Sequence, residues 1–165
     1  IRDRDYYQEK EIEEILNRSA GLMSIELEKD ALEQMSKRSR LTPRIANRLL
    51  KRVRDWAQVH GNNKINQEAL NGTLEILDID SKGLEQSDRR IIEAIITKYN
   101  GGPVGVNAIA AATGEEKLTI EDVYEPYLIQ IGLLERTNRG RKVTDDGYLH
   151  LGLEPPRTAD STQLF

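Results

Sequence analysis

From about Tyr6 to Leu22 the positions Ile12, Ile15, Leu16, Ser19 and Leu22 recur every three or four residues, which predicts a helix with one inward face. A shorter helix follows, with Ala31, Leu32 and Met35 inward. Thr42-Pro43 then marks a helix start, with a hydroxyl at the N-cap and proline at the first helical position. The helix it opens places Ile45, Ala46, Leu49, Leu50, Val53, Trp56 and Ala57 on one side and Arg44, Arg48, Lys51 and Arg52 on the other. Gly61-Asn62-Asn63 ends it. A fourth helix runs from a capping Asn66 through Ala69, Leu70, Leu74 and Leu77. Four such helices predict a compact bundle over residues 1–80.

The polar stretch Asp78-Ile79-Asp80-Ser81-Lys82-Gly83 reads as a linker, and the pattern changes after it. Ser87 is placed to cap a helix with Ile91, Ile92, Ile95, Ile96 and Tyr99 inward, stopped by Gly101-Gly102-Pro103. Asn107 opens a short alanine-rich helix to Ala112. Thr119 is placed to cap a third helix holding Val123, Tyr127, Leu128 and Ile131, closed by Gly132; Pro126 should kink it or sit near its start. Leu133–Arg136 and Lys142–Thr144 then predict two short strands around a polar turn. Three helices followed by a hairpin is the winged-helix arrangement, expected over residues 81–152, with a loose Pro- and Thr-containing tail over 153–165. The fold class is therefore mainly α, a four-helix bundle followed by a winged helix with a small antiparallel wing.

Composition narrows the chemistry. An apolar content of 38% supports packed cores despite 32% charged residues. The absence of cysteine removes disulfides, thiolate metal sites and cysteine nucleophiles. No stretch approaches the length of a membrane span, so a cytoplasmic protein without membrane contact is the expectation. The chain starts Ile1-Arg2-Asp3 without an initiator Met, which reads as a piece of something longer.

The net charge of −4 argues against a bulk polyanion binder, but its distribution does not. Eight Lys or Arg residues stand between Lys37 and Arg54 with no acid among them. A second acid-free cluster, Arg136, Arg139, Arg141 and Lys142, crowds the hairpin turn, where Asn138 and Gly140 supply tight geometry. Guanidinium groups on a protruding turn suit phosphate oxygens. The acids Glu121, Asp122 and Glu125, expected on the exposed side of the third helix, would repel a groove, so backbone contact without base reading is predicted. The plain alternative is a solvated turn. Arg44, in the first turn of its helix, is a second candidate, because free N–H groups and the helix dipole favour an anion there.

Other chemistry finds no support. His60 and His150 are single and distant, with no metal spacing. No G-x-x-x-x-G-K-[ST] occurs, and Gly101-Gly102-Pro103-Val104-Gly105 lacks the lysine of a phosphate loop.

Longer runs resemble one family closely. Arg38-Ser39-Arg40-Leu41-Thr42-Pro43-Arg44-Ile45-Ala46-Asn47-Arg48-Leu49-Leu50-Lys51-Arg52-Val53-Arg54-Asp55 is similar to the RuvB family of bacterial Holliday junction motors. So are Gly101-Gly102-Pro103-Val104-Gly105, Thr119-Ile120-Glu121-Asp122-Val123-Tyr124-Glu125-Pro126-Tyr127-Leu128-Ile129-Gln130 and the wing Arg136-Thr137-Asn138-Arg139-Gly140-Arg141, within a resemblance spanning Tyr7 to Gly152. It implies the lid and winged-helix domains of an AAA+ ATPase that drives branch migration in recombination and repair. It further implies ATP or ADP with Mg in the intact protein, a homohexameric ring, four-way junction DNA as substrate, and RuvA and RuvC as partners.

By the same resemblance Arg44 is the second sensor of the nucleotide γ-phosphate, Tyr7 and Pro43 line the adenine pocket, and Arg136 and Arg141 are the wing's DNA contacts, with Arg139 and Lys142 beside them. The front half would carry the Walker motifs, so this chain alone is expected to be inactive. Leu41 stands where the family usually has Gly, and Asn138 where it usually has Pro. A leucine strains the turn if its backbone is left-handed. The rival from another class is a non-enzymatic regulator, a helical oligomerisation bundle fused to a winged helix. It predicts a dimer, a palindromic site and a base-reading third helix. A third reading gives the winged helix protein contacts only.

Overall fold

The computed structural model describes residues 7–157. The start of the first helix at Tyr6 and the tail beyond Arg157 lie outside the described residues. Contacts divide the chain into two compact units, the first ending at Glu85 and the second beginning at Gln86.

The first unit is built from α1 (Glu9–Leu22), β1 (Glu26–Leu27), α2 (Lys29–Lys37), α3 (Pro43–Val59), β2 (Lys64–Ile65) and α4 (Gln67–Leu77). A reciprocal capping box, Gln8 with Glu11, starts α1. Its inward face is Ile12, Leu16 and Ala20, four residues apart. Leu22, expected inward, is exposed, because the face has rotated past it by the last turn. In α3 the Thr42 hydroxyl accepts the Ile45 N–H at 3.3 Å and Pro43 is the first helical residue. Ala46, Leu49, Leu50, Val53 and Ala57 are buried, while Ile45 and Trp56 sit at the margin of the core. Asn66 caps α4 through the Ala69 N–H at 2.9 Å. These helices close around Ile12, Leu16, Met35, Leu50 and Leu70, all fully buried.

The two-residue strands β1 and β2, which no periodicity announced, pair in parallel. Lys64 bridges Glu28 at 3.1 Å and Glu26 at 3.2 Å there, and these carboxylates, Glu28 first, hold its ammonium pKa above the ordinary lysine value.

The second unit holds α5 (Gln86–Tyr99), α6 (Val106–Thr113), a third helix α7, the hairpin β3 (Leu134–Thr137) and β4 (Gly140–Val143), and α8 (Asp145–His150). Two expected caps are displaced. Ser87 lies inside α5 and its hydroxyl donates to Glu115 Oε2 at 2.9 Å instead. Thr119 also lies inside a helix, since α7 begins at Lys117. That helix runs in three registers: α-helical Lys117–Thr119, a π-helical turn Ile120–Tyr124 and α-helical Glu125–Gln130. Pro126 has no N–H and its ring crowds the carbonyl four residues back; the wider π turn immediately before it relieves both problems without ending the helix. The altered register turns Val123, expected inward, out to solvent.

Substitution of the Thr42 cap by alanine is expected to cost about 1 kcal/mol, a fall of roughly 5 °C in melting temperature for a unit of this size. A thermal melt followed through Trp56, the single tryptophan and a residue of this unit, reads it. An unchanged midpoint would mean that the 3.3 Å cap contributes nothing.

Candidate functional site

At the N-terminal end of α3 the chain makes an unusual approach. Arg40 and Leu41 both have positive φ, 54° and 55°. For residues with a Cβ this left-handed conformation costs about 1–2 kcal/mol each, so the turn must be held from outside. The Ser39 hydroxyl donates to the Met35 carbonyl at 2.6 Å, the Thr42 N–H to the Ser39 carbonyl at 3.1 Å, and the buried Arg40 guanidinium reaches the Gly83 carbonyl at 3.3 Å. The turn also presents the Leu41 carbonyl to the Tyr7 N–H at 2.9 Å. Leu41 thus adopts the conformation in which leucine is strained, and the neighbouring bonds fix it.

That hydrogen bond ties the Tyr7 backbone to the turn that leads into Pro43 and Arg44. Tyr7 is 41% exposed, Pro43 is partly buried, and Arg44 is exposed in the first helical turn. No described residue engages the Arg44 guanidinium. An exposed aromatic, a proline and an exposed cation at a positive helix end suit an aromatic base carrying an anionic tail. The donor set therefore fits a nucleotide.

In the second unit the first wing strand is shifted one residue along, the second starts two residues earlier, and the turn is shorter than expected. The register pairs Leu134 with Val143, Glu135 with Lys142, Arg136 with Arg141 and Thr137 with Gly140. The connection is only Asn138-Arg139, so Arg136 and Arg141 face each other across the ladder and do not sit at the tip. Cross-strand partners share one face of a hairpin, and here that face turns towards α7. The Gly101–Val104 segment adds a third edge: the Val104 N–H donates to the Arg141 carbonyl at 3.0 Å, the Arg141 N–H to the Val104 carbonyl at 2.7 Å, and the Val143 N–H to the Gly101 carbonyl at 2.9 Å.

Glu125, expected on an exposed acidic side of α7, is buried. Its Oε1 accepts from Arg136 Nη2 at 2.8 Å and Arg141 Nη2 at 3.2 Å, and its Oε2 accepts from Arg141 Nε. Glu121, one helical turn earlier, lies 3.8 Å from Arg141 Nη2. The Arg141 side chain is 11% exposed, that of Arg136 55%. Burial of a carboxylate is tolerated because two guanidiniums neutralise and hydrogen-bond it. Arg139 and Lys142 are exposed, as is Asp122. Among the described residues no group of His, Cys, Asp and Glu is arranged to hold a metal, and no helix is long and apolar enough to cross a membrane.

The two units define a class, an AAA lid domain joined to a winged-helix domain. Residues 7–80 match the RuvB AAA lid domain and residues 81–152 the RuvB C-terminal winged helix domain. The chain belongs to the RuvB family. The structure is similar to that of the Thermotoga maritima RuvB Holliday junction branch migration motor, at 52% identity and a TM-score of 0.88, over 92% of this chain and 51% of that one. Two single-substitution variants of the Thermotoga maritima protein match equally well, one at 52% identity and TM-score 0.89 over 92% of this chain and 50% of that one, the other at 51% and 0.88 over 92% and 51%. The chain spans about half the length of these relatives.

Proposed function

We propose that this chain is the lid and DNA-gripping head of an ATP-driven motor that moves Holliday junctions in recombination and repair. The observation that carries this is the pairing of two features on one chain. A cationic helix end whose lead-in turn is bonded to an exposed tyrosine suits a nucleotide, and a basic hairpin with arginines set by a buried acid suits a phosphate backbone.

In the intact protein the nucleotide would rest against Tyr7 and Pro43, with Arg44 directed to its γ-phosphate. ATP with Mg supplies the driving reaction when bound by the complete enzyme. This chain contributes a charged group whose engagement differs between triphosphate and diphosphate, and so a means of turning the lid. The wing cations Arg136, Arg139, Arg141 and Lys142 would transmit the movement to the duplex, either by touching phosphate or by holding the groups that do. A homohexameric ring acting on four-way junctions with RuvA and RuvC, in the cytoplasm, completes the proposal. The rival regulator needs a third helix that reads bases; Asp122 and Val123 on the exposed side of α7 supply neither the charge nor the hydrogen-bond donors for that.

The expected behaviour is weak duplex binding without sequence preference. With about two or three phosphates contacted, log affinity should fall against log salt with a slope of about −2 to −3. Fluorescence anisotropy with unrelated duplexes of equal length, across a salt series, measures this. The chain alone should not hydrolyse ATP. A strong sequence preference, or turnover that survives removal of contaminating ATPases, contradicts the reading.

A further inference from the structure

Glu125 does more in this geometry than neutralise charge. Its two oxygens accept three N–H groups from both members of one cross-strand arginine pair. It sits at the first α-helical residue after the π turn, so α7 places the carboxylate against the wing from a well-packed position beside buried Tyr127 and Leu128. Arg141 is consumed by this contact. Its Nε and Nη2 both point at Glu125, its Nη2 also approaches Glu121, and its backbone N–H and C=O are both bonded to Val104. Arg136 is engaged by one nitrogen and exposes the rest of its guanidinium.

We propose that Glu125 is the positioning residue of the wing: it locks Arg141 as an internal strut and presents the outer edge of Arg136, together with Arg139 and Lys142, to phosphate. The inference rests on the reading of the wing as a duplex grip, and it assigns the phosphate contacts to three of the four wing cations.

The two simplest accounts of Glu125 predict opposite signs. A carboxylate that merely lies near DNA repels it, so Glu125→Gln would tighten binding. A carboxylate that orders the grip strengthens binding, so Glu125→Gln would weaken it. The glutamine amide has one acceptor oxygen and cannot accept from Arg141 Nε on its other side. Two long side chains would then have to be ordered on binding, an expected loss of about five- to twentyfold in affinity.

The test uses the whole chain, a mixed-sequence duplex and a salt series, at a temperature well below each variant's melting point. Arg139→Ala serves as the direct-contact reference, expected to lower the salt slope by about 1. Glu125→Gln should weaken binding although it removes a negative charge. Arg141→Lys should weaken it comparably, because lysine keeps the charge but cannot supply the two-nitrogen fork. A residue important only for folding would leave the affinity of the folded protein unchanged. If Glu125→Gln does not fold, Arg141→Lys carries the test, since the charge balance of the cluster is kept.

Equal or tighter binding by Glu125→Gln overturns the proposal, and so does wild-type affinity in Arg141→Lys. Failure of the underlying grip has a separate signature: the unmodified chain would not bind duplex, or Arg139→Ala would bind as it does.

Discussion

Arg44→Ala in the full-length protein is expected to lower ATP hydrolysis by about 10²- to 10³-fold, the usual effect of removing one preorganised donor from a developing charge, while the melting temperature of the lid stays where it was. Both halves of this expectation come from the surroundings of the residue. The side chain is exposed at the first turn of α3, and no described residue holds it. An exposed surface cation contributes little to the fold, so its loss should not move stability. The backbone beneath it tells the opposite story. Two successive left-handed residues, Arg40 and Leu41, are held in place by hydrogen bonds from Ser39, Thr42 and Arg40, and the same turn carries Tyr7. Strain of this kind persists only where surrounding structure enforces it, and it concentrates at functional sites. Arg44→Lys is the informative companion variant, because it keeps charge but loses the planar fork; it should recover only part of the rate. Hydrolysis within threefold of wild type in Arg44→Ala would remove this residue from nucleotide sensing.

The order of helices was legible in the sequence wherever local chemistry and periodicity agreed. Thr42-Pro43 and Asn66 announced α3 and α4 by their caps, and both hydrogen bonds form. The hydrophobic face of α3 was correct at Ala46, Leu49, Leu50, Val53 and Ala57. Errors occurred where a long-range partner outcompeted a local one. Ser87 could cap α5 in isolation, but Glu115, from the loop after α6, takes its hydroxyl. Thr119 could start a helix, but α7 begins at Lys117 and absorbs Pro126 through a π turn that has no periodic signature. The strands β1 and β2 are two residues each, too short for alternation to show. The α8 helix did carry a readable start, Thr144 followed by Asp145 and Asp146, and the Thr144 hydroxyl does accept the Gly147 N–H at 3.1 Å.

For the candidate site, residue types were legible and their pairing was not. The sequence marks four cations on a hairpin and three acids on a neighbouring helix. It does not show that one acid faces inward to meet two of the cations, because that depends on the hairpin register and the rotation imposed by the π turn. A one-residue slip of register would send Arg136 and Arg141 to the opposite face.

Glycine at position 140 fixes that register, and Gly140→Ala is expected to be among the most damaging single changes in the second unit. Neither Asn138 nor Arg139 has positive φ; that demand falls on Gly140, at 128°. A Cβ there would overlap the Val104 carbonyl oxygen, which is backbone and already accepts the Arg141 N–H. The alanine variant therefore meets a disfavoured conformation and a clash that no side-chain rotation can relieve. The two together should cost about 2–4 kcal/mol, a large share of the few kcal/mol by which a unit of this size is stable. The pair of hydrogen bonds between Val104 and Arg141 would be the first to give way, and with it the seating of Arg141 against Glu125. Amide exchange should accelerate at Val104 and Arg141, and duplex binding should weaken in step, while the Trp56 fluorescence of the first unit stays unchanged. Slow exchange at both amides in Gly140→Ala would show that the wing tolerates a side chain there, and the register would then have to be held by the Glu125 cluster alone.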